Sequence, residues 1–228
     1  MKQILVKAAR SILPASALHG VENGYRRVRV RLLSARYGNP SKNLRVIAVT
    51  GTNGKTTTAC YINEILKEAK FKTAMFTTAL IEVAGKAQVN DLNATVASTG
   101  RMQQFFRDAK KADVDYVVLE ITSHALDQHK LDGVPIEAAV MTNLTQDHLD
   151  YHKTMENYAA AKGKLFTLEP RYIILNRDDE WYDYFDQFVA GEQKMTYGKH
   201  PEAEAQIQRV KLYRKGTEAD VVLDHQTH

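Results

Sequence analysis

From Leu44 to Asn176 the apolar positions alternate between two patterns. Short continuous runs, RVIAVT (45–50), KTAMFTT (72–78), YVVLEI (116–121), AAVMTNL (138–144) and RYIILN (171–176), lack the strict in-and-out alternation of a half-solvated sheet and read as buried strands. Between them, Thr56 to Ala69, Gly100 to Lys111 and MENYAAAKGKLF (155–166) space their apolar residues as helices do. Strand and helix in turn predict an α/β fold, a mostly parallel sheet flanked by helices, over residues 44–228. Residues 1–43 form a preceding helical segment: one or two helices over 1–37, with Pro14 and the His19-Gly20 to Gly24 stretch as a break, then a turn at Tyr37-Gly38-Asn39-Pro40. Beyond Asn176 the pattern thins. DDEWYDYFDQFVA (178–190) predicts a short helix and residues 205–228 a hairpin turning at Lys215-Gly216.

Composition changes this picture little. A chain of 228 residues that is 44% hydrophobic and 25% charged is long enough and apolar enough to bury a core, so disorder is not expected. One cysteine, Cys60, permits no internal disulfide and fits a reducing, cytoplasmic setting. Charge is more informative. Residues 1–45 hold ten Lys/Arg against the single acid Glu22, a net of +9 within an overall +4, which leaves −5 for the rest. A basic helical segment packed on an acidic neighbouring surface accounts for this; contact of residues 1–43 with an anionic membrane surface is the second expectation. No aromatic platform or base-reading motif accompanies the charge, so nucleic acid is not an expected partner.

The strand VIAVT runs into GTNGKTTT (51–58) and then into a helix. Glycines at 51 and 54 let a turn present its amides inward at a helix N-terminus, Lys55 supplies a mobile cation for phosphates, and Thr56 offers a hydroxyl to magnesium. The usual pattern G-x-x-x-x-G-K-[ST] would place glycine where this chain has Val49. Further on, Glu120 ends the strand YVVLEI and is followed by Thr122, Ser123 and His124, a place where a metal-binding carboxylate belongs in an open parallel sheet. The loop after AAVMTNL crowds Asn143, Asp147, His148, Asp150 and His152. Two histidines four apart raise zinc, but no cysteine or third spaced ligand supports it. Magnesium, with phosphate oxygens and waters completing its shell, accommodates His148 as a lone imidazole, with Asp147 and Asp150 orienting the loop.

Taken in order, TGTNGKTTT, E-[IV]-x-S-H-A-L (as EITSHAL), T-N-L-x-x-D-H-L-D-Y-H (as TNLTQDHLDYH) and A-A-K-x-x-L-F (as AAKGKLF) resemble the Mur ligase family over about Leu44 to Gly198. The likeness is to the branch adding the third amino acid to UDP-N-acetylmuramoyl-dipeptide. The related folylpolyglutamate synthases share the loop but lack the S-H-A-L and D-Y-H combination. The resemblance implies an ATP-dependent carboxylate–amine ligase of peptidoglycan precursor synthesis, working through an acyl phosphate. It implies that Gly51, Thr52, Asn53, Gly54, Lys55, Thr56 and Thr57 hold ATP, with Asn176 and Asp178 of the N-x-D-D block on the nucleotide side or shaping the loop. It also implies that Thr56, Glu120, His148 and a carbamylated Lys162 hold Mg2+, with Lys55, Lys162 and His148 catalytic. Asn93 and Thr95 match part of the family's N-x-T-T-P substrate segment, where Val96 and Ala97 depart from it; with Ser123 and His124 they are the expected substrate contacts. UDP-muramoyl-peptide and an amino acid are the implied substrates. Family members carry a UDP-gripping domain before this region and an amino-acid-binding domain after it, so the chain is expected to be a fragment or reduced form, inactive alone and needing that C-terminal domain or a partner chain. A non-catalytic nucleotide-binding module acting with such a partner is the alternative. An ordinary P-loop phosphotransferase or GTPase is disfavoured by the missing first glycine and the absence of a guanine-reading N-K-x-D.

Overall fold

A computed structural model of the chain describes residues 15–90, 98–214, 216–223 and 226–227. Its centre is one sheet, and the strand order explains where a site can form. The strands are β1 (Arg45–Thr50), β2 (Thr73–Phe76), β3 (Leu80–Val83), β4 (Lys86–Val89), β5 (Tyr116–Glu120), β6 (Ile136–Met141), β7 (Tyr172–Asn176), β8 (Gln193–Gly198), β9 (Ala205–Tyr213), β10 (Gly216–Leu223) and β11 (Gln226–Thr227). They lie in the order β11-β10-β9-β8-β7-β6-β1-β5-β2-β3-β4. From β2 through β9 every pairing in that order is parallel, and the two edges are finished by antiparallel strands. β1 sits between β5 and β6, where the winding reverses. In such sheets the crevice outside the carboxyl ends of the strands at the reversal is the ligand site.

The helices are α1 (Ala15–Arg36), α2 (Lys55–Glu68), α3 (Thr99–Lys111), α4 (Ser123–Asp127), α5 (Leu149–His152), α6 (Met155–Gly163) and α7 (Tyr182–Asp186). Sequence-local capping fixes several starts: Ser98, Thr122 and Thr154 each accept a bond from the backbone N–H three residues on. One core cluster gathers Val46, Ala48, Phe106, Val117, Leu119, Ala139, Leu165 and Ile173 from the sheet and the helices over it. A smaller cluster on the other face joins Val49, Val118 and Val140 to Ala59 of α2. Strands buried on both faces are why their sequences run continuously apolar.

One expectation needs correction, and two features were not anticipated. α1 runs unbroken through Gly20 and Gly24. An interior glycine costs a helix only about 1 kcal/mol, and here the helix is held by Val30, buried, and by Arg26 and Arg27 reaching Asp127 and Asp132. The hairpin β3–β4 was not anticipated, although Ala84 and Gly85 carry the two successive positive φ values, 47° and 80°, of a tight hairpin turn. The strand β8 was also missed, its polar sequence QKMTYG being only partly buried. The predicted hairpin at residues 205–228 is present as β9–β10; Pro14, Lys215 and the 1–14 part of the basic segment lie outside the described residues.

Candidate functional site

The turn after β1 is built by two loops gripping each other. Thr52 N–H donates to Asn143 O at 2.8 Å, Asn53 N–H to Asn143 Oδ1 at 2.9 Å, and Thr142 Oγ1 to Asn53 O at 2.7 Å. Thr52 Oγ1 meets Thr145 O at 3.2 Å and accepts from Thr145 N at 3.0 Å. Gly51, at φ 148°, sits so close to Thr142 Oγ1 and the Asn143 backbone that no side chain would fit. Gly54, at φ 81°, reverses the chain into α2, whose first helical bond is Thr58 N–H to Gly54 O. The amides before Thr58 therefore have no partner within the helix, and the helix dipole adds its positive end there.

Around this turn the side chains converge from the ends of β1, β2 and β5, or just beyond them, and from helix α6. Lys55 Nζ donates to Thr52 O at 2.7 Å; burial lowers its pKa, against the opposing pull of Glu120 and Asp147. Thr56 Oγ1 donates to Glu120 Oε2 at 2.8 Å, and the same oxygen accepts from Thr78 N at 2.9 Å and Thr78 Oγ1 at 3.1 Å. Lys162 is 1% exposed, donates from Nζ to Gly51 O at 2.6 Å and lies 4.4 Å from the Tyr158 ring centre. Burial, and next the charge of Lys55, push its pKa down to about 7. An amine in that state is substantially neutral, and so nucleophilic, near physiological pH.

The histidines form a neighbouring group. The His124 ring lies 5.1 Å from that of His148 and 5.5 Å from that of His152, and His148 lies 6.2 Å from Tyr158. His152 Nε2 and buried Ser123 Oγ are 2.9 Å apart. Desolvation first, and then the neighbouring imidazoles, lower the pKa of His124 and of His152. Asn176 Nδ2 donates to Thr142 O at 2.9 Å, and Asp179 accepts from Leu144 N at 2.8 Å, so both brace the loop that braces the glycine turn. Asp178 instead accepts from Lys199 and His200 amides across the β8 end. Asn93 and Thr95 lie outside the described residues.

Sequence reasoning overlooked Thr78, Thr142, Thr145 and Tyr158. Only Tyr158 carried a signal, its position one helical turn before Lys162. The donors at Thr56 and Glu120, hydroxyl and carboxylate oxygens, fit a hard divalent cation such as magnesium. Among the described residues no three of His, Cys, Asp and Glu converge as a ready-made metal cage, and a magnesium ion bound with phosphate needs few protein ligands.

These features define an open α/β domain with a ligand crevice at the carboxyl ends of its central parallel strands. The chain belongs to the Mur ligase family: the model of the Mur ligase middle domain matches residues 49–228. It is 37% identical over 199 residues to the UDP-N-acetylmuramoyl-L-alanyl-D-glutamate–2,6-diaminopimelate ligase of Bacillus licheniformis, covering 84% of this chain and 40% of that protein. A solved structure of a ligase of the same name matches with a TM-score of 0.76 and 30% identity, over 87% of this chain and 41% of the other. The folylpolyglutamate synthase of Mycobacterium tuberculosis, solved with ADP and AMPPCP, shares the fold at a TM-score of 0.69 and 16% identity, over 86% of this chain and 51% of that one. The chain thus spans about two fifths of the length of the curated relatives it matches.

Proposed function

We propose that this chain is the nucleotide-binding core of an ATP-dependent carboxylate–amine ligase that extends UDP-N-acetylmuramoyl-dipeptide by one amino acid in the cytoplasm. What supports this best is the convergence of Lys55, Thr56, Glu120 and Lys162, distant in sequence, on one glycine turn: Thr56 bonds Glu120 at 2.8 Å, and Lys162 bonds the Gly51 carbonyl at 2.6 Å.

The amides from Gly54 to Thr57 and the Lys55 ammonium bind the ATP phosphates, with Thr52 and Asn53 holding the turn in shape. Thr56, Glu120 and His148 would hold magnesium, which supplies charge neutralisation as a carboxylate approaches a phosphoryl group. The neutral form of the Lys162 amine adds carbon dioxide and releases a proton, becoming a carbamate anion on the same side of the turn. The substrate carboxylate oxygen attacks the γ-phosphorus, ADP leaves, the incoming amine attacks the acyl carbon, and phosphate departs as the amide forms. Ser123 and His124, beside His148 and His152, contact the muramoyl substrate together with Asn93 and Thr95. Asn176 and Asp178 shape the nucleotide side. The parts of the substrate sites that this core does not supply come from a further domain or a partner chain.

Calorimetric titration of magnesium-ATP into the chain and into Lys55→Ala tests the phosphate half of this reading. Binding weakened about 100-fold in the variant, close to 3 kcal/mol, is expected. Equal binding by both proteins, or none by either, overturns it.

A further inference from the structure

The outward face of α1 carries Val21, Tyr25, Val28 and Leu32, each 53–67% exposed, at spacings of four, three and four residues. That spacing places them on one stripe along the helix. The opposite face does the packing: Val30 is 2% exposed, and Arg26 reaches Asp127 at 3.8 Å. On a helical projection Arg29 and Arg36 flank the stripe on one side and Arg31 on the other, while Arg27 lies further round, toward the packed face. Arg27 pairs with Asp132 at 3.4 Å. Arg29, Arg31 and Arg36 make no ion pair among the described residues. Beside this flank a cleft of about 290 Å³ is lined by Arg27, Arg31 and Lys164, its one acid Asp132 being the residue already paired to Arg27.

We propose that α1 docks the domain on an anionic lipid bilayer surface, its apolar stripe in the headgroup boundary and its arginines on lipid phosphates. An apolar stripe rimmed on both sides by arginine is the layout of a helix lying in the membrane interface. No helix among the described residues is long and apolar enough to cross a membrane, so the contact is with the surface. Charge selects this occupant over a second copy of the chain. Two such stripes face to face would bring arginine rims together, and Glu22 is the only acid on the helix. A bilayer rich in phosphate headgroups answers every one of those cations. The proposal is independent of the ligase reading, since none of its residues belongs to the glycine turn or the histidine group.

Flotation of the full chain with vesicles tests it, comparing pure phosphatidylcholine with an equal mixture of phosphatidylcholine and phosphatidylglycerol. The protein is expected to float with the anionic vesicles only, and to be released in high salt. The double variant Val28→Glu/Leu32→Glu should bind about tenfold more weakly. Arg29→Gln/Arg36→Gln, which alters only exposed rim positions, should weaken binding in the same direction, with circular dichroism melts confirming that both variants fold. No flotation with anionic vesicles, or equal flotation of the Val28/Leu32 variant, overturns the proposal. So does a self-association, seen by sedimentation, that the Val28/Leu32 variant abolishes while vesicle binding is absent, or an RNA-only interaction that both variants leave intact.

Discussion

The glycine turn and helix α1 are held to the same core by opposite means. Around Gly51 to Asn53 a set of hydrogen bonds at 2.7–3.3 Å ties two loops to each other, and one position admits no side chain. Among the described residues of α1 only Val30 is fully buried, Arg26 and Arg27 reach Asp127 and Asp132 at 3.8 and 3.4 Å, and Val21, Val28 and Leu32 are exposed. The turn is specified atom by atom, as the phosphate binding proposed for it requires. The helix is specified only by which face is apolar, which suits a surface that adapts to what it touches. The two regions meet at Asp127, which accepts from Tyr151 at 2.8 Å and Lys164 at 2.6 Å on the site side and faces Arg26 on the other.

The largest expected difference between the two regions comes from Gly51→Ala. The added methyl overlaps Thr142 Oγ1, and that hydroxyl cannot swing away without losing its 2.7 Å bond to Asn53 O. The backbone at φ 148° is strained for alanine besides. A loss of about 3 kcal/mol or more is expected, lowering the melting temperature by roughly 6–12 °C in a chain of this size. A variant melting like the parent would show that the two loops are not rigidly interlocked.

Much of this division was legible beforehand. The glycines, Lys55, Thr56 and Glu120 stood out because charged and hydroxyl residues interrupt apolar runs at strand ends, where a core-facing position would not spend them; Lys162, on a helix, stood out only through the resemblance of AAKGKLF to the Mur ligase pattern. The central strands were legible because burial on both faces leaves continuous apolar sequence. Thr78, Thr142 and Thr145 were not: a threonine at a strand end looks the same whether its hydroxyl faces water or cross-links two loops. Nor was β8, whose pairing to β7 depends on a partner, and not on any pattern of its own. The unbroken course of α1 was misjudged because glycine propensity is a local quantity, whereas the anchoring of Val30 and Arg26 is tertiary.

A middle-sized effect follows from Lys162. Its folded pKa, about 7, lies below the ordinary lysine value of 10.5 because the cation is buried. Between these values the unfolded chain binds the extra proton, so stability rises with pH across that window and is flat below it. Denaturant melts in carbon-dioxide-free buffer should therefore show the parent gaining of order 3 kcal/mol from pH 7 to pH 10 relative to Lys162→Met. Parallel pH profiles for the two proteins would mean that the amine stays protonated in place, sustained by the Gly51 carbonyl and the Tyr158 ring, and would remove the support it lends to carbamate formation.

The smallest effect is also the one that separates the two faces of α1 most directly. Val30 and Val28 are the same residue type two positions apart, one 2% and the other 56% exposed. Val30→Ala removes two buried methyl groups and should cost about 1–2 kcal/mol. Val28→Ala removes nothing from the core, and because alanine is the better helix former it should be neutral or stabilising by up to about 0.5 kcal/mol. Chemical denaturation resolves both. The opposite signs bear on docking as well: a residue whose removal stabilises the helix in water is kept on the surface at a small cost to folding, and the same Val28→Ala variant should hold anionic vesicles less well than the parent. If instead Val28→Ala destabilised the chain as much as Val30→Ala, the stripe would already be engaged within the protein, and α1 would have no free face with which to dock.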